Sequence, residues 1–238
     1  MKPVILKTGS TLPELRERRG DYEDWIAAGL GLDLAALEVV SVYAGAELPK
    51  VSDVLAVVVT GSSAYVSDRE PWSERAAGWL AELVAAGTPL LGICYGHQLL
   101  AHALGGRVER NPCGREMGTV EVALLPEAGG DPLFRDLGNP LTVQATHLES
   151  VTVLPPGARR LGENALDPHH AFAVGAAAWG VQFHPEFDAD VMRAYLVARR
   201  EILLGEGIDP GPLERGVTQS PQGPDLLRTF ADFAGLRV

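Results

Sequence analysis

In the first half of the chain, continuous apolar runs alternate with segments of helical periodicity. Residues 54–60 form a continuous run in which five of the seven residues are β-branched, which predicts a strand covered on both faces. Residues 73–86 are amphipathic and end at Gly87, as a helix closed by a glycine does. The predicted strands are residues 2–7, 37–43, 54–60 and 89–93, and the predicted helices are 21–30, 73–86 and 96–104. This alternation is typical of βαβ units and favours a parallel sheet.

The pattern changes after Gly106, where short apolar runs are separated by turns. Predicted strands at residues 119–125, 141–145, 151–154, 171–174 and 180–183 suggest a second, mixed or antiparallel layer. Residues 188–204 return to helical periodicity, 205–223 are rich in Gly and Pro and are expected to be a surface loop, and 225–234 predict a last helix. Since no repeat or clear linker divides the sequence, residues 1–238 are predicted to form a single α/β domain.

Composition narrows the choice of function. The formal net charge is −11 and the pI about 5.0, so the surface should repel phosphate backbones and nucleic acid is not expected as a partner. The sequence has only two cysteines, no signal-peptide pattern and no apolar run long enough for a membrane span. We therefore expect a cytoplasmic protein, and the strong preference for Arg over Lys suggests a GC-rich bacterial genome.

The most informative segment surrounds Cys94. A buried strand runs into the cysteine, a helix begins at once, and Gly92 and Gly96 lie two residues to either side. This Gly-x-Cys-x-Gly pattern is the thiol counterpart of the nucleophile elbow, whose tight turn leaves no room for side chains at the two glycines. The turn would present Sγ at the carboxyl edge of the sheet, next to a helix N-terminus that favours a thiolate. Taken alone the pattern also fits a buried, inert cysteine, and Cys113, in a turn, is interpreted as structural or incidental.

A second polar segment follows another predicted strand, 90 residues further along the chain. Here His184, Pro185 and Glu186 come directly after an apolar run. A carboxylate bonded to Nδ1 would fix the imidazole tautomer and turn Nε2 towards a thiol. An isolated His-Pro-Glu more often caps a strand end and a helix, but together with the elbow it predicts a catalytic triad of Cys94, His184 and Glu186.

Gly92-Ile93-Cys94-Tyr95-Gly96-His97-Gln98 together with His184-Pro185-Glu186 resembles the two signatures of the class I (triad) glutamine amidotransferases. The likeness extends from about residue 37 to residue 200 and is greatest to the glutaminase half of GMP synthase and its free-standing relatives. It implies a flavodoxin-like, three-layer α/β domain with a central, mostly parallel sheet, helices on both faces and a smaller mixed or antiparallel sheet.

The resemblance also implies roles for residues outside the triad. Backbone N–H groups of Gly61 or Ser62 and of Tyr95 would form an oxyanion hole, although many family members have a second glycine where Ser62 stands. Gln98 would hold the α-amino acid end of the substrate. The stretch Thr146-His147-Leu148-Glu149-Ser150-Val151 is similar to the Ser-His-Gly-Asp-x-Val segment of the GMP synthase group. Its backbone at Thr146 and His147 would line the pocket, which Leu148, in place of a small residue, would narrow.

The predicted function is hydrolysis of glutamine or a γ-glutamyl compound through a γ-glutamyl thioester, releasing ammonia or an amine without a metal or organic cofactor. Because the sequence holds no Gly-x-x-x-x-Gly-Lys-Ser/Thr phosphate loop, one alternative is a glutaminase subunit that delivers ammonia to a separate synthase polypeptide. Another is a non-catalytic regulatory or binding protein that has kept the fold. A cysteine peptidase or thiol stress protein is the last choice, since those usually lack the His-Pro-Glu segment.

Overall fold

The computed structural model describes residues 1–237. Within them, nine strands form one sheet and two form a separate ribbon. The strands are β1 (Lys2–Lys7), β2 (Glu38–Ser41), β3 (Val54–Val59), β4 (Leu90–Ile93), β5 (Arg107–Arg110), β6 (Glu116–Leu124), β7 (Leu141–His147), β8 (Glu149–Val153), β9 (Arg159–Glu163), β10 (Ala171–Val174) and β11 (Ala178–Val181).

Helices lie between and after these strands, and their ends follow local signals. Asp21 caps one helix through a capping box with Asp24, and Gly31 and Gly87 close two helices in the left-handed conformation. The helices are α1 (Pro13–Arg19), α2 (Tyr22–Leu30), α3 (Pro71–Ala86), α4 (Tyr95–Ala103), α5 (Ala189–Ala198), α6 (Arg200–Gly205), α7 (Pro210–Gly216) and α8 (Gln222–Phe233).

The large sheet has the order β2-β1-β3-β4-β11-β10-β9-β6-β7. The first five strands are parallel neighbours, and the remaining pairs are antiparallel. The parallel strands β1, β3, β4 and β11 therefore all end at one edge, where Thr8, Thr60, Cys94 and Gln182 follow them. Polar and reactive residues from distant parts of the chain meet there.

Alternate residues of the parallel strands pack on opposite faces. In β3, Ala56 and Val58 join a core with α2, α5 and α8, whereas Val57 and Val59 join a second core with α3 and α4. Helices thus cover both faces, which confirms the predicted α/β fold class.

The predicted second layer is arranged differently from the expectation. Four of the later strands, β10, β9, β6 and β7, extend the main sheet, because β11 pairs in parallel with β4 and β10 turns back on it. Only β5 and β8 form a small separate sheet. At the far end, Gln144 of β7 forms an isolated bridge with His184, so the antiparallel strands return to the edge at which the parallel strands end.

Several element boundaries also differ from the sequence prediction. The structure adds α1, β5 and β9, and β11 begins two residues before the predicted strand at 180–183. The helix predicted over 188–204 is divided into α5 and α6 at Arg199, whose φ of −101° and ψ of 9° interrupt the regular helix. Residues 205–223 are not all loop, because they contain α7. The organisation as a single domain remains a prediction.

Candidate active site

Cys94 occupies the turn between β4 and α4. Its φ of 51° lies in the left-handed region, where residues other than glycine are uncommon, as expected of a strained nucleophile elbow. A Cβ at Gly92 would lie 2.4 Å from the Gly96 carbonyl oxygen, and one at Gly96 would lie 2.6 Å from the Val59 carbonyl oxygen. Both glycines are therefore required by close backbone contacts.

His184 lies beside this turn. Its backbone N–H donates to the Gln144 carbonyl at 2.8 Å, and its ring stacks on Phe187 with centroids 4.1 Å apart. Nδ1 lies 2.8 Å from Oε1 of Glu186. Nε2, on the other side of the ring, is therefore available for a different partner. Gly61 lies directly against the imidazole, since a Cβ there would be 2.8 Å from Cε1. Backbone, stacking and carboxylate contacts together fix the ring.

The charge state of His184 depends on two neighbours. Burial lowers the pKa of its imidazole, but the carboxylate of Glu186 and the charge and hydrogen bond of Cys94 outweigh burial and raise the pKa to about 10. The structure therefore places Cys94 and His184 in the wall of one cavity, with Glu186 bound to the imidazole.

The raised pKa of His184 leads to a test of the role of Glu186. Replacing the acid in Glu186→Gln removes the larger of the two raising charges, so the pKa of His184 should fall from about 10. If the imidazolium protonates the leaving group, the alkaline limb of the kcat/KM pH profile should move down by about one unit or more, and kcat at neutral pH should fall about 10²-fold. The profile measured with glutamine or a γ-glutamyl amide checks both effects.

Glu186→Asp is the matched control, because it keeps the carboxylate and should retain an alkaline limb closer to that of the natural protein. An alkaline limb that stays in place in Glu186→Gln would contradict the assignment of Glu186 to the imidazole.

The residues predicted to form the oxyanion hole border Cys94 on two sides. Oγ1 of Thr8 lies 3.0 Å from the Gly61 carbonyl oxygen, and because C=O and N–H of a trans peptide point in opposite directions, the N–H of Ser62 is turned away from Thr8. Tyr95 begins α4, so its N–H has no acceptor within the helix. Its hydroxyl is occupied elsewhere, 2.6 Å from Oγ of Ser73. The oxyanion role of these N–H groups remains a prediction.

Two cavities open on Cys94. The first has a volume of about 50 Å³ and contains the predicted substrate-binding residues Gln98, Thr146, His147 and Leu148, together with Glu149. Sγ of Cys94 lies 3.8 Å from the Thr146 carbonyl oxygen. The second cavity, of about 220 Å³, lies on the side of His184. Cys94 therefore borders two cavities that differ in their lining residues.

The side chain of Gln98 is oriented so that its amide oxygen can accept a hydrogen bond from a ligand. Its Nε2 donates to the Glu149 carbonyl at 2.7 Å and to Oε1 of Gln182 at 3.0 Å, which uses both amide hydrogens. Oε1 of Gln98 is then the atom left to accept a hydrogen bond from a ligand, such as an ammonium group. Glu149 adds a buried carboxylate that accepts from Oγ of Ser67.

His147 supports the wall of the first cavity. Its Nδ1 lies 3.0 Å from the Glu149 carbonyl oxygen and its Nε2 lies 2.9 Å from Oε2 of Glu116. The ring therefore bridges the Glu149 carbonyl and the Glu116 carboxylate. His170 also contacts Oε2 of Glu116, at 2.6 Å.

Within residues 1–237, Glu116, His147 and His170 are the one group of three potential metal ligands found close together. All three are buried, and their direct contacts are those of a hydrogen-bonded network rather than of side chains around a central ion. The two histidines hold the pKa of the Glu116 carboxyl below its usual range against the opposing effect of burial. The network is best explained as a support for the Thr146–Glu149 segment.

No role was predicted for three charged residues that line the cavities: Arg115, Glu149 and Arg199. Glu149 occupies the position of the acid in the Ser-His-Gly-Asp-x-Val segment, so the resemblance contained a signal for it. Arg199 lines both cavities, and no sequence signal marked it within a long helical pattern.

The comparisons with known proteins agree with this fold. The model of the family "Glutamine amidotransferase class-I" matches residues 21–202. The chain is 39% identical over 157 residues to a glutamine-hydrolysing GMP synthase of Thermus thermophilus, a match that covers 65% of this chain and 24% of that protein. It is 38% identical over 149 residues to the corresponding enzyme of Porphyromonas gingivalis, covering 61% of this chain and 28% of that protein. The chain thus matches about a quarter of the length of these relatives.

Solved structures show the same fold. A glutamine amidotransferase from Thermotoga maritima superposes with a TM-score of 0.75 at 23% identity, covering 98% of this chain and 97% of that one. A second, from Methylobacillus flagellatus, gives a TM-score of 0.74 at 22% identity over 98% of this chain and 92% of the other. The protein has the fold of a glutamine amidotransferase with a cysteine at the elbow. The chain belongs to the class I glutamine amidotransferase family of enzymes.

Within residues 1–237, no helix combines the length and the hydropathy that a membrane span needs.

Proposed function

We infer that the protein hydrolyses the side-chain amide of glutamine or of a related γ-glutamyl compound, with Cys94 as the nucleophile. The observation that supports this most directly is that Cys94 and His184 line one cavity at the carboxyl edge of the parallel strands, with Oε1 of Glu186 2.8 Å from Nδ1 of the imidazole. A nucleophile, an oriented base and space for substrate are the parts that covalent amide hydrolysis needs.

In the first half of the proposed reaction, His184 holds the proton of Cys94, and the thiolate attacks the amide carbon to form a C–S bond. The N–H groups of Ser62 or Gly61 and of Tyr95 would stabilise the oxyanion, and one such donor is typically worth about 3–4 kcal/mol. The imidazolium then gives its proton to the nitrogen as the C–N bond breaks, which releases ammonia or an amine and leaves a γ-glutamyl thioester.

In the second half, His184 takes a proton from water as the new C–O bond forms. The C–S bond breaks, the thiolate of Cys94 is restored, and glutamate leaves. No electrons are exchanged with an outside donor, so the side chains in the site suffice for the full cycle.

The first cavity would hold the glutamyl group. Oε1 of Gln98 and the carboxylate of Glu149 offer acceptors for the α-ammonium group, and the Thr146–Leu148 backbone forms the wall opposite Cys94. A group bound there would extend its γ-amide towards Sγ, with the amide nitrogen on the side of His184.

Covalent labelling tests the assignment of the nucleophile. Cys94 is only 6% exposed whereas Cys113 is exposed, so an unactivated protein treated with iodoacetamide should be alkylated first at Cys113. An electrophilic glutamine analogue such as a diazo ketone should instead label Cys94 selectively and stoichiometrically at neutral pH, as peptide mapping by mass spectrometry would show. Equal, slow labelling of the two thiols would favour a non-catalytic protein that has kept the fold.

A glutaminase subunit that supplies a separate synthase is the second candidate. It is favoured by the match of this chain to about a quarter of the length of the GMP synthases. Ammonia release by the purified chain from a panel of γ-glutamyl compounds separates the two candidates. Constant turnover favours the hydrolase, and turnover that begins only when a synthase polypeptide is added favours the subunit.

A further inference from the structure

The second cavity is far larger than the release of ammonia requires. Its volume is about 220 Å³, whereas a molecule of the size of water or ammonia needs only about 10–15 Å³ of cavity. His184 lines this cavity and is absent from the wall of the first, while Gln98 and Glu149 line the first and not the second. The second cavity therefore lies where a leaving amine would receive its proton.

Buried contacts hold the walls of this cavity in place. Nζ of Lys7 lies 2.8 Å from Asp21, and Asp21 accepts the backbone N–H of Thr11 at 2.8 Å, which ties the segment after β1 to the start of α2. The hydroxyl of Tyr195 lies 2.9 Å from Oγ1 of Thr11 and 2.7 Å from the hydroxyl of Tyr22. Side chains from three separate parts of the sequence thus form a defined space with hydroxyl groups in its wall.

Arg199 gives this space a positive charge. Its side chain reaches the cavity from the break between α5 and α6, and its Nε is buried without a hydrogen-bond partner. Among the described residues, no aspartate or glutamate forms a salt bridge with Arg199. By contrast Arg115, which lines only the first cavity, is neutralised by Glu206 through contacts of 2.7 and 2.9 Å.

The remaining lining of the second cavity contains no aspartate or glutamate. It consists of Ser, Thr, Tyr and apolar side chains together with Cys94 and His184. An unpaired guanidinium in such surroundings favours a carboxylate, with which it can form paired hydrogen bonds, and disfavours a second cation.

The geometry points to a γ-glutamyl amide whose leaving amine carries a carboxylate, that is, a γ-glutamyl amino acid, with the amine portion in the second cavity and its carboxylate on Arg199. This assignment rests on the proposed function and specifies its substrate. The bond changes are those given above, with the nitrogen of the departing amino acid receiving the proton of His184.

Kinetics with three substrates test the assignment. γ-Glutamylglycine releases an amine that bears a carboxylate, γ-glutamylethylamide releases an amine without one, and glutamine releases ammonia. In the natural protein kcat/KM should be highest for γ-glutamylglycine. Arg199→Met should lower the ratio of kcat/KM for γ-glutamylglycine to that for γ-glutamylethylamide about 10-fold or more. Arg199→Lys should retain part of the preference for γ-glutamylglycine, because it keeps the positive charge. Arg200→Met removes the same charge from an exposed neighbour paired with Glu214 and should leave the ratio as it was.

Equal losses on all three substrates in Arg199→Met would place the guanidinium at the glutamyl end and overturn the assignment. So would a natural protein that hydrolyses glutamine but has no preference for γ-glutamylglycine over γ-glutamylethylamide. Both results would leave the proposed hydrolysis itself intact, whereas no release of ammonia or amine from any substrate would count against the hydrolysis.

A binding measurement decides the matter without turnover. In the Cys94→Ala background, calorimetry should show tighter binding of γ-glutamylglycine than of γ-glutamylethylamide, and adding Arg199→Met should abolish the difference. If the two compounds bind equally, or neither binds, the second cavity is not a site for a carboxylate-bearing amine.

Discussion

Replacing Cys94 with alanine is expected to lower the hydrolysis of γ-glutamyl amides by at least about 10⁴-fold, because the variant has no atom to form the thioester. The fold should be retained, since alanine occupies the same buried turn and removes only one sulfur atom. Ammonia or amine release in a coupled assay measures the loss, and thermal unfolding measures the stability.

Cys113→Ala is the matched control for loss of a thiol. Cys113 is exposed in a turn. Its backbone N–H donates a hydrogen bond to Oδ1 of Asn111, and alanine at this position would keep that bond. Its activity should stay within about twofold of the natural protein. Turnover in Cys94→Ala close to that of Cys113→Ala would end the proposal that the elbow carries the nucleophile.

The second large effect concerns the fold rather than the chemistry. In Gly92→Ala the new methyl group would lie 2.4 Å from the Gly96 carbonyl oxygen and 2.8 Å from the backbone nitrogen of His97. Those atoms belong to the backbone of the first turn of α4, so no side-chain rotation can relieve the contact. We expect a loss of about 3 kcal/mol or more in the free energy of unfolding, and a loss of activity as the turn that presents Cys94 moves. Urea unfolding measures the first effect, provided that the slope of the unfolding free energy against urea concentration is the same in both proteins.

Gly78→Ala provides the comparison for adding a methyl group to a glycine. Gly78 lies on the exposed side of α3, and a Cβ there would meet nothing within 4 Å. Since alanine favours a helix by about 1 kcal/mol over glycine, this variant should be as stable as the natural protein or more stable. If Gly92→Ala unfolded at the same urea concentration as Gly78→Ala, the close packing at the elbow would be refuted.

Much of the parallel half of the fold could be predicted from the sequence. Residues 2–7 form the predicted strand, and the predicted terminator Gly87 ends its helix where expected. These signals are local, because a continuous β-branched run, a capping side chain and a left-handed glycine each act within a few residues. The antiparallel half was less predictable, since short strands gain their stability from partners distant in the sequence.

The candidate site shows the same division. Gly92, Cys94 and Gly96 could be singled out because a tight turn makes steric demands that only certain residues meet. Arg199 could not be found in this way, because a break in a helix and the direction of one side chain depend on packing against other elements. The same holds for the network around Glu116. Its partner His147 ends β7, and its partner His170 immediately precedes β10.

The sequence by itself determined the family, through the signatures of a thiol at a strand-to-helix turn and a histidine two residues before a glutamate. Only the tertiary structure decided what surrounds the thiol. The return of β7 to His184 forms one wall, and the side chains of Tyr22, Tyr195 and Arg199 form a second space beside it. The physical reason is range: steric and capping preferences act between neighbours in the chain, whereas a cavity and its charge arise from residues that meet only after the whole sheet has formed.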